Sequence, residues 1–422
     1  PYATNFTAPA MPTIIQNNKM TISFTAIGIN RHFNYPRYFS MVPVGPDGVD
    51  SFSIGFFEVA AAQKPKPQTV AFLAADAEFA RSAVDAAREQ AKKRGFRIVY
   101  DQSYPPSTTD FTPMVRAIQA TNADIVYIGA YPPDNVGIVR AANEIGLNPK
   151  MFGGAMIGML ITPIKVQLGP ITNGLVIVET FVPSPKLQFE GLDSVMQRYQ
   201  AKAGELKTDP LGYAFVPIGY GAGQILAQAV TETKSLDHDK LTAYMKATTF
   251  NTVVGDVKFA ADGEWTKARQ LTTQFQNVEP NNLDQFRTGA KQPILWYRKP
   301  CENDRRCGIC IAERLRGRST LHGTCPGAGA PGPRQHLAQS SRGRGGGEAV
   351  TSGDECAGVD RLCEKIPREV VVWHQRHWFG AAHRWRDHQE AHRYRHGACA
   401  LQGIRAGAAR TGGRTRAAGL AG

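Results

Sequence analysis

The chain has 422 residues, 42% apolar and 20% charged, a length that suggests two to four domains with ample residues for a core and excludes one small domain. Charge divides it: residues 1–300 hold 29 Lys and Arg against 25 Asp and Glu, net +4, whereas residues 301–422 hold 20 against 11, net +9. No run of about 18 apolar residues exists, which argues against a helical membrane span.

Residues 10–16 carry a helical pattern and residues 20–25 (MTISFT) read as a strand. Residues 68–74 (QTVAFLA) are a short β-rich run, and Asp76 stands as an N-cap before a helix in which Phe79, Ala83, Val84, Ala87 and Ala91 recur near a period of 3.6. Lys92 and Arg94 close its last turn, and Gly95 suits the left-handed position beyond it. Strands follow at 97–100 (RIVY) and 124–129 (DIVYIG), helices at 111–120 and 135–145, the second closed by Gly146. Such alternation predicts parallel βαβ units. Further strands at 151–154 and 174–178, with a helical stretch at 159–168 between them, complete a five-stranded α/β sheet. From residue 187 the pattern changes to consecutive helices at 192–203, 213–231 and 241–248, then to β-rich segments at 257–259 and 271–278. These helices and the α/β fragment at the start belong to a second body, so the chain crosses between two lobes several times.

The segments FTPMVRAIQATNADIVYIG, DIVYIGAYPPD (residues 124–134, a strand ending in Tyr131), YGAGQILAQAV and GDVKFAADGEW (residues 255–265, a late Gly-x-x-x-Phe-x-x-x-Gly hairpin) follow the order of five βα units. Together they resemble the substrate-binding proteins of branched-chain amino acid type ABC transporters, the Leu/Ile/Val-binding protein family, from residue 1 to about residue 297. The resemblance implies an α/β fold of the type I periplasmic binding class, with parallel sheets flanked by helices in two lobes joined by crossovers. It implies a small-molecule solute closed between the lobes, a membrane permease as partner, a periplasmic monomer, no catalytic site, no cofactor, no metal and no nucleic-acid partner. By pattern, residues 1–43 with 184–250 form the first lobe and residues 44–183 with 251–297 the second, with crossovers near Pro43, residues 182–185 and residues 250–252. The chain begins inside the family's first lobe, which is therefore expected to be incomplete. The absence of cysteine through residue 300 fits an exported bacterial protein.

In open α/β sheets a ligand sits at the carboxyl ends of the strands, where helix N-termini offer free N–H groups. Thr4, Asn5 and Thr7 in YATNFT present hydroxyls and an amide to an acid group, unless they only cap a helix from Ala8. Ser23 and Thr25, after the MTISF strand, either complete that carboxylate site or satisfy backbone. Tyr131 resembles the family's pocket tyrosine, packing on the solute and offering a phenol oxygen; its plain alternative is a loop aromatic covering the sheet. An amino acid also brings an ammonium, for which Glu179 in VIVETF and Asp76 in LAADAEF are the available acids, against a solvated crossover residue and a helix cap as alternatives. Phe181 walls the pocket or packs the hinge. If neither acid meets an ammonium, the solute is an aromatic or aliphatic acid without one.

Two rivals come from other classes. A sensing domain of the same fold would bind solute without transport. Gly219, Gly221 and Gly223 imitate a dinucleotide loop and suggest a nucleotide-dependent oxidoreductase, but no second strand follows to place an acid on a ribose, and Pro217 sits badly in a central strand. In the tail, Cys301, Cys307, Cys310 and Cys325 with His374, His377, His383, His388, His392 and His396 suggest metal ligands, and the Arg excess a nucleic-acid arm. Against both, only 16 of residues 301–422 are Val, Ile, Leu or Phe, which with net +9 predicts a low-complexity, disordered segment from residue 298 to 422. Arg, Gly, Ala, Cys and His rise together there while Lys is reduced to Lys365, as out-of-frame reading of GC-rich DNA produces. A frameshift near residue 298 is the expectation. Re-reading the coding DNA in its other frames should restore a family-like ending; none in any frame would discard it.

Overall fold

The computed structural model describes residues 3–185, 187–298 and 309–311. Helix α1 (Thr4–Gln16), strand β1 (Thr21–Ser23), helix α2 (Ile29–Phe33) and strand β2 (Tyr38–Ser40) come first. Helix α3 (Ser51–Ala61) leads into β3 (Thr69–Ala75), α4 (Glu78–Lys93), β4 (Arg97–Tyr104), α5 (Thr112–Ala120), β5 (Ile125–Ala130), α6 (Pro132–Glu144), β6 (Met151–Met156), α7 (Thr162–Leu168) and β7 (Leu175–Glu179). Helices α8 (Leu192–Ala203), α9 (Val216–Thr233) and α10 (His238–Ala247) precede the hairpin β8 (Thr249–Thr252) and β9 (Gly255–Lys258), then β10 (Leu271–Gln274), β11 (Ile294–Arg298) and β12 (Ile309–Ile311).

The main sheet runs β4-β3-β5-β6-β7-β10-β11-β12. Its first five strands are parallel, as the alternation predicts, but three antiparallel strands extend it beyond the expected five. Parallel strands are covered on both faces, so they read as unbroken apolar runs rather than as alternation. Period two then sorts each run between two cores. Ala71, Leu73 and Ala75 of β3 with Val126 and Ile128 of β5 face α5 and α6, whereas Val70, Phe72 and Ala74 with Ile125 and Tyr127 face α3 and α4.

Helix α4 buries Phe79, Ala80, Ala83, Val84, Ala87 and Ala91, the stripe expected from its spacing. Its N-cap is Ala77 and not Asp76. Asp76 instead pairs with Arg81 at 3.1 Å, both side chains about half exposed, while its backbone N–H donates to Tyr104 O at the end of β4. Helix α1 starts at Thr4, earlier than the pattern at residues 10–16, since Pro9 and Pro12 inside it mask the helical signal. The glycines 219, 221 and 223 all lie within α9, with Pro217 in its first turn. This is helix interior and not the strand-turn-helix that a dinucleotide loop requires; Gly219 lies against the Phe24 ring and Gly221 against Val254. The metal and nucleic-acid expectations for the tail fall outside the described residues, apart from the β12 backbone at Cys310.

A smaller body gathers β1 and β2, a parallel pair, with α1, α2 and α8 to α10. The β8–β9 hairpin packs here too: Phe250, Val257, Phe259 and Trp265 join Phe39, Met41, Ile218, Leu241 and Met245 in one cluster. The hairpin segment is tied to β2 by Ser40 N donating to Gly263 O (2.9 Å) and Trp265 Nε1 donating to Ser40 O (3.0 Å). Gly263 has φ +80°, and a Cβ there would stand 1.8 Å from Tyr38 O, so no other residue fits this approach.

The tie buries Glu264 to 8% exposure beside Ser40, Asp262, Arg31 and Tyr38, with Oε2 lacking a partner among the described residues. Burial pushes its carboxyl up to about 7; Asp262 adds to this, while the Ser40 hydrogen bond and Arg31 oppose it. The protonated form therefore favours folding. Its contribution is full below pH 4.5, the ordinary Glu value, and is lost as pH rises through about 7. Glu264→Gln should stabilise the protein at pH 8 by about 3 kcal/mol and give no gain below pH 4.5. Urea unfolding across pH checks this; an equal effect at both ends would contradict it.

Candidate functional site

The carboxyl ends of β3, β5, β6 and β7 share one edge of the main sheet. Ala130 pairs with Met156 and Gly154 with Ile177, which sets Met156 beside Glu179. Tyr131 and Glu179 thus leave this edge two strands apart, about 10 Å at ordinary strand spacing.

At the β5 end, α1 and α4 meet by their first turns. Asn5 Nδ2 donates to the Tyr131 hydroxyl at 3.2 Å, and the Phe79 ring packs on Tyr131 with centroids 6.1 Å apart. The N–H groups of Phe79 and Ala80 also face the Tyr131 oxygen. Burial pushes the Tyr131 phenol up, and Asn5 with those two N–H groups opposes it. Two helix N-termini meet here and offer their partial positive charge, while the nearby Asp134 carboxylate adds to the rise of the Tyr131 phenol.

The hydroxyls near α1 have structural duties. Thr25 Oγ1 accepts from Ala3 N (3.0 Å) and Thr4 Oγ1 from Ile27 N (3.1 Å), stitching the start of α1 to the loop after β1. Each hydroxyl keeps its own proton to donate. Ser23 is fully buried and accepts from Ala26 N at 3.1 Å. Thr7 is fully buried as well, with Oγ1 unpartnered among the described residues. Thr4, Asn5, Thr25 and Tyr131 are therefore brought together, Ser23 and Thr7 lie behind them, and Asp76 points to solvent with Arg81.

Glu179 lies in a second place, 1% exposed at the end of β7. Its Oε1 accepts from Lys165 Nζ (3.0 Å) and Gln292 Nε2 (2.7 Å), while Gln292 Oε1 accepts from Lys165 (3.0 Å) and Gln292 Nε2 also donates to Thr273 Oγ1 (3.1 Å). Lys165 further rests over the rings of Phe275 and Phe286 at 5.8 and 6.0 Å. Burial pushes the Glu179 carboxyl up and the Lys165 ammonium opposes it most strongly. Glu179, Lys165 and Gln292 line a narrow crevice with Leu160, Thr162, Phe181, Tyr213 and Ala214, with about 10 Å³ of free space, room for one water. Phe181 packs on Tyr213 at 6.0 Å, so the crevice lies where the crossover meets the smaller body. Lys165 and Gln292 were invisible in the sequence: a lysine within TPIKVQL and a glutamine 127 residues away carry no mutual spacing signal.

This arrangement, a parallel α/β sheet facing a smaller body across strand ends and helix N-termini, is the type I periplasmic-binding architecture. Residues 1–276 match the Periplasmic binding protein family, and the chain belongs to that family. It is similar to the Leu/Ile/Val/Thr-binding protein of Salmonella typhimurium, 26% identical over 202 residues that cover 48% of this chain and 52% of that one. The chain thus spans about half the length of the curated relatives it matches. Among solved structures, the branched-chain amino acid transporter substrate-binding protein of Streptococcus pneumoniae in complex with isoleucine aligns with TM-score 0.54 and 18% identity over 66% of this chain and 76% of that one. A solute-binding protein of an ABC transporter from Rhodopseudomonas palustris, in complex with 3,4-dihydroxybenzoic acid, gives 0.55 and 17% over 65% and 73%.

Lys165→Met should cost about 3–5 kcal/mol because it strands the Glu179 charge, and the loss should grow as pH rises through the Glu179 titration. Lys165→Met/Glu179→Leu should recover most of it. Chemical unfolding of both variants checks the pair; equal losses would show that the charges do not act together.

Proposed function

We propose that the chain is a solute receptor of an ABC importer, binding a small carboxylate between two lobes and delivering it to a membrane permease. In this reading it works in the periplasm as a monomer and catalyses no reaction. In this reading the lobes are residues 1–43 with 184–265 and residues 44–183 with 266–297; the hairpin moves from the second lobe, where the sequence pattern put it, to the first, because Phe250, Val257, Phe259 and Trp265 pack there. The observation that carries the reading is the meeting of the α1 and α4 N-termini around Asn5 and Tyr131. A carboxylate there gains N–H and hydroxyl donors from both sides, contacts available only when the lobes are together, so binding favours closure.

The names of the relatives support two solute classes, aliphatic amino acids and aromatic acids. Between them, the engagement of Glu179 by Lys165 and of Asp76 by Arg81 favours an acid without an ammonium. Thermal unfolding of the 422-residue chain should show a raised midpoint with such an acid, worth about 2.7 kcal/mol at 100 times Kd. Tyr131→Phe, which removes the shared hydroxyl, should weaken binding about tenfold. No shift with any carboxylate, or a shift with nicotinamide dinucleotides instead, would overturn the receptor reading.

A further inference from the structure

Glu179 is buried and only half satisfied. Oε1 takes both strong donors, and although the Thr180 N–H also faces the carboxyl, Oε2 has no hydrogen-bond partner among the described residues while the carboxylate lines the crevice. An unfilled acceptor at 1% exposure is costly unless something donates to it. The charge already present decides what that donor is. Lys165 and Glu179 cancel, so an ammonium entering the crevice would be an uncompensated buried cation facing Lys165, whereas a neutral hydroxyl adds a hydrogen bond and no charge. Leu160, Phe181 and Tyr213 also line the crevice, which suits an uncharged skeleton.

We propose that the crevice is the specificity subsite of the solute site, with Glu179 Oε2 accepting a hydroxyl at the end of the solute remote from its carboxylate. Tyr131 and Glu179 leave strand ends about 10 Å apart at the backbone, so a solute that reaches both carries its two groups several bonds apart. The solute class is therefore a distal hydroxy acid, phenolic or aliphatic. A single water is the natural occupant when no solute is present, and the hydroxyl replaces it. This assignment rests on the receptor reading above.

The experiment is calorimetric titration of the 422-residue chain with two matched series: benzoate, 4-hydroxybenzoate and 4-(aminomethyl)benzoate; hexanoate, 6-hydroxyhexanoate and 6-aminohexanoate. In at least one series the hydroxy acid should bind about tenfold or more tighter than both companions. In Lys165→Met/Glu179→Leu, which removes both charges together, that advantage should fall to about twofold or less. Plain acid or ammonium acid binding as tightly as the hydroxy acid would overturn the subsite and leave the receptor standing, as would an advantage that survives in the double variant. Binding by none of the six, together with no shift across a wider panel of carboxylates, would overturn both.

Discussion

The whole molecule depends on one constraint: a parallel sheet buried on both faces has nowhere to hold polar chemistry except at its strand ends. Every side chain of β5 is buried, and its residues alternate between two apolar cores. At the carboxyl edge, by contrast, β4 ends in Tyr104, β5 gives way to Tyr131 and β7 reaches Glu179, and each of these side chains is hydrogen-bonded. The helices that cover the sheet run back from this edge, so their unsatisfied N–H groups collect there as well. The topology thus concentrates hydrogen-bonding groups at this edge, and the side chains set their partners.

The refinement rests on buried groups that are incompletely satisfied. Glu179 and Glu264 are both carboxyls pushed up by burial, yet they differ in company. Glu179 faces a buried ammonium and an amide, which keep a charge pair at the crossover. Glu264 has a hydroxyl and a partly exposed arginine nearby, so its carboxyl titrates near neutrality within the tie between β2 and the hairpin. The first arrangement leaves one carboxylate oxygen without a partner among the described residues; the second makes the smaller body's stability depend on pH.

The link between the bodies is short and polar near α1. One amide-phenol contact, Asn5 to Tyr131, joins elements 126 residues apart. Contacts of this size are worth about 1 kcal/mol each. The crossover side is more apolar, with Phe181 on Tyr213.

The sequence by itself determined the α/β class and the order of βα units, because these depend on local periodicity along contiguous stretches of the chain. Helix α4 was legible in the same way, from its stripe of alanines between Phe79 and Ala91. The start of α1 was hidden by Pro9 and Pro12, and the short elements α2, α3 and β2 went unread; the role of Asp76 was misjudged because a cap and an ion pair look alike in one dimension. Only the tertiary structure decided that both acids are engaged. Glu179 reads as an open carboxylate in VIVETF, but Lys165 and Gln292 reach it from a helix and from the approach to β11, by side-chain hydrogen bonds that span 14 and 113 residues of chain. Electrostatic partnership is a matter of distance in space, and no spacing along the chain encodes it.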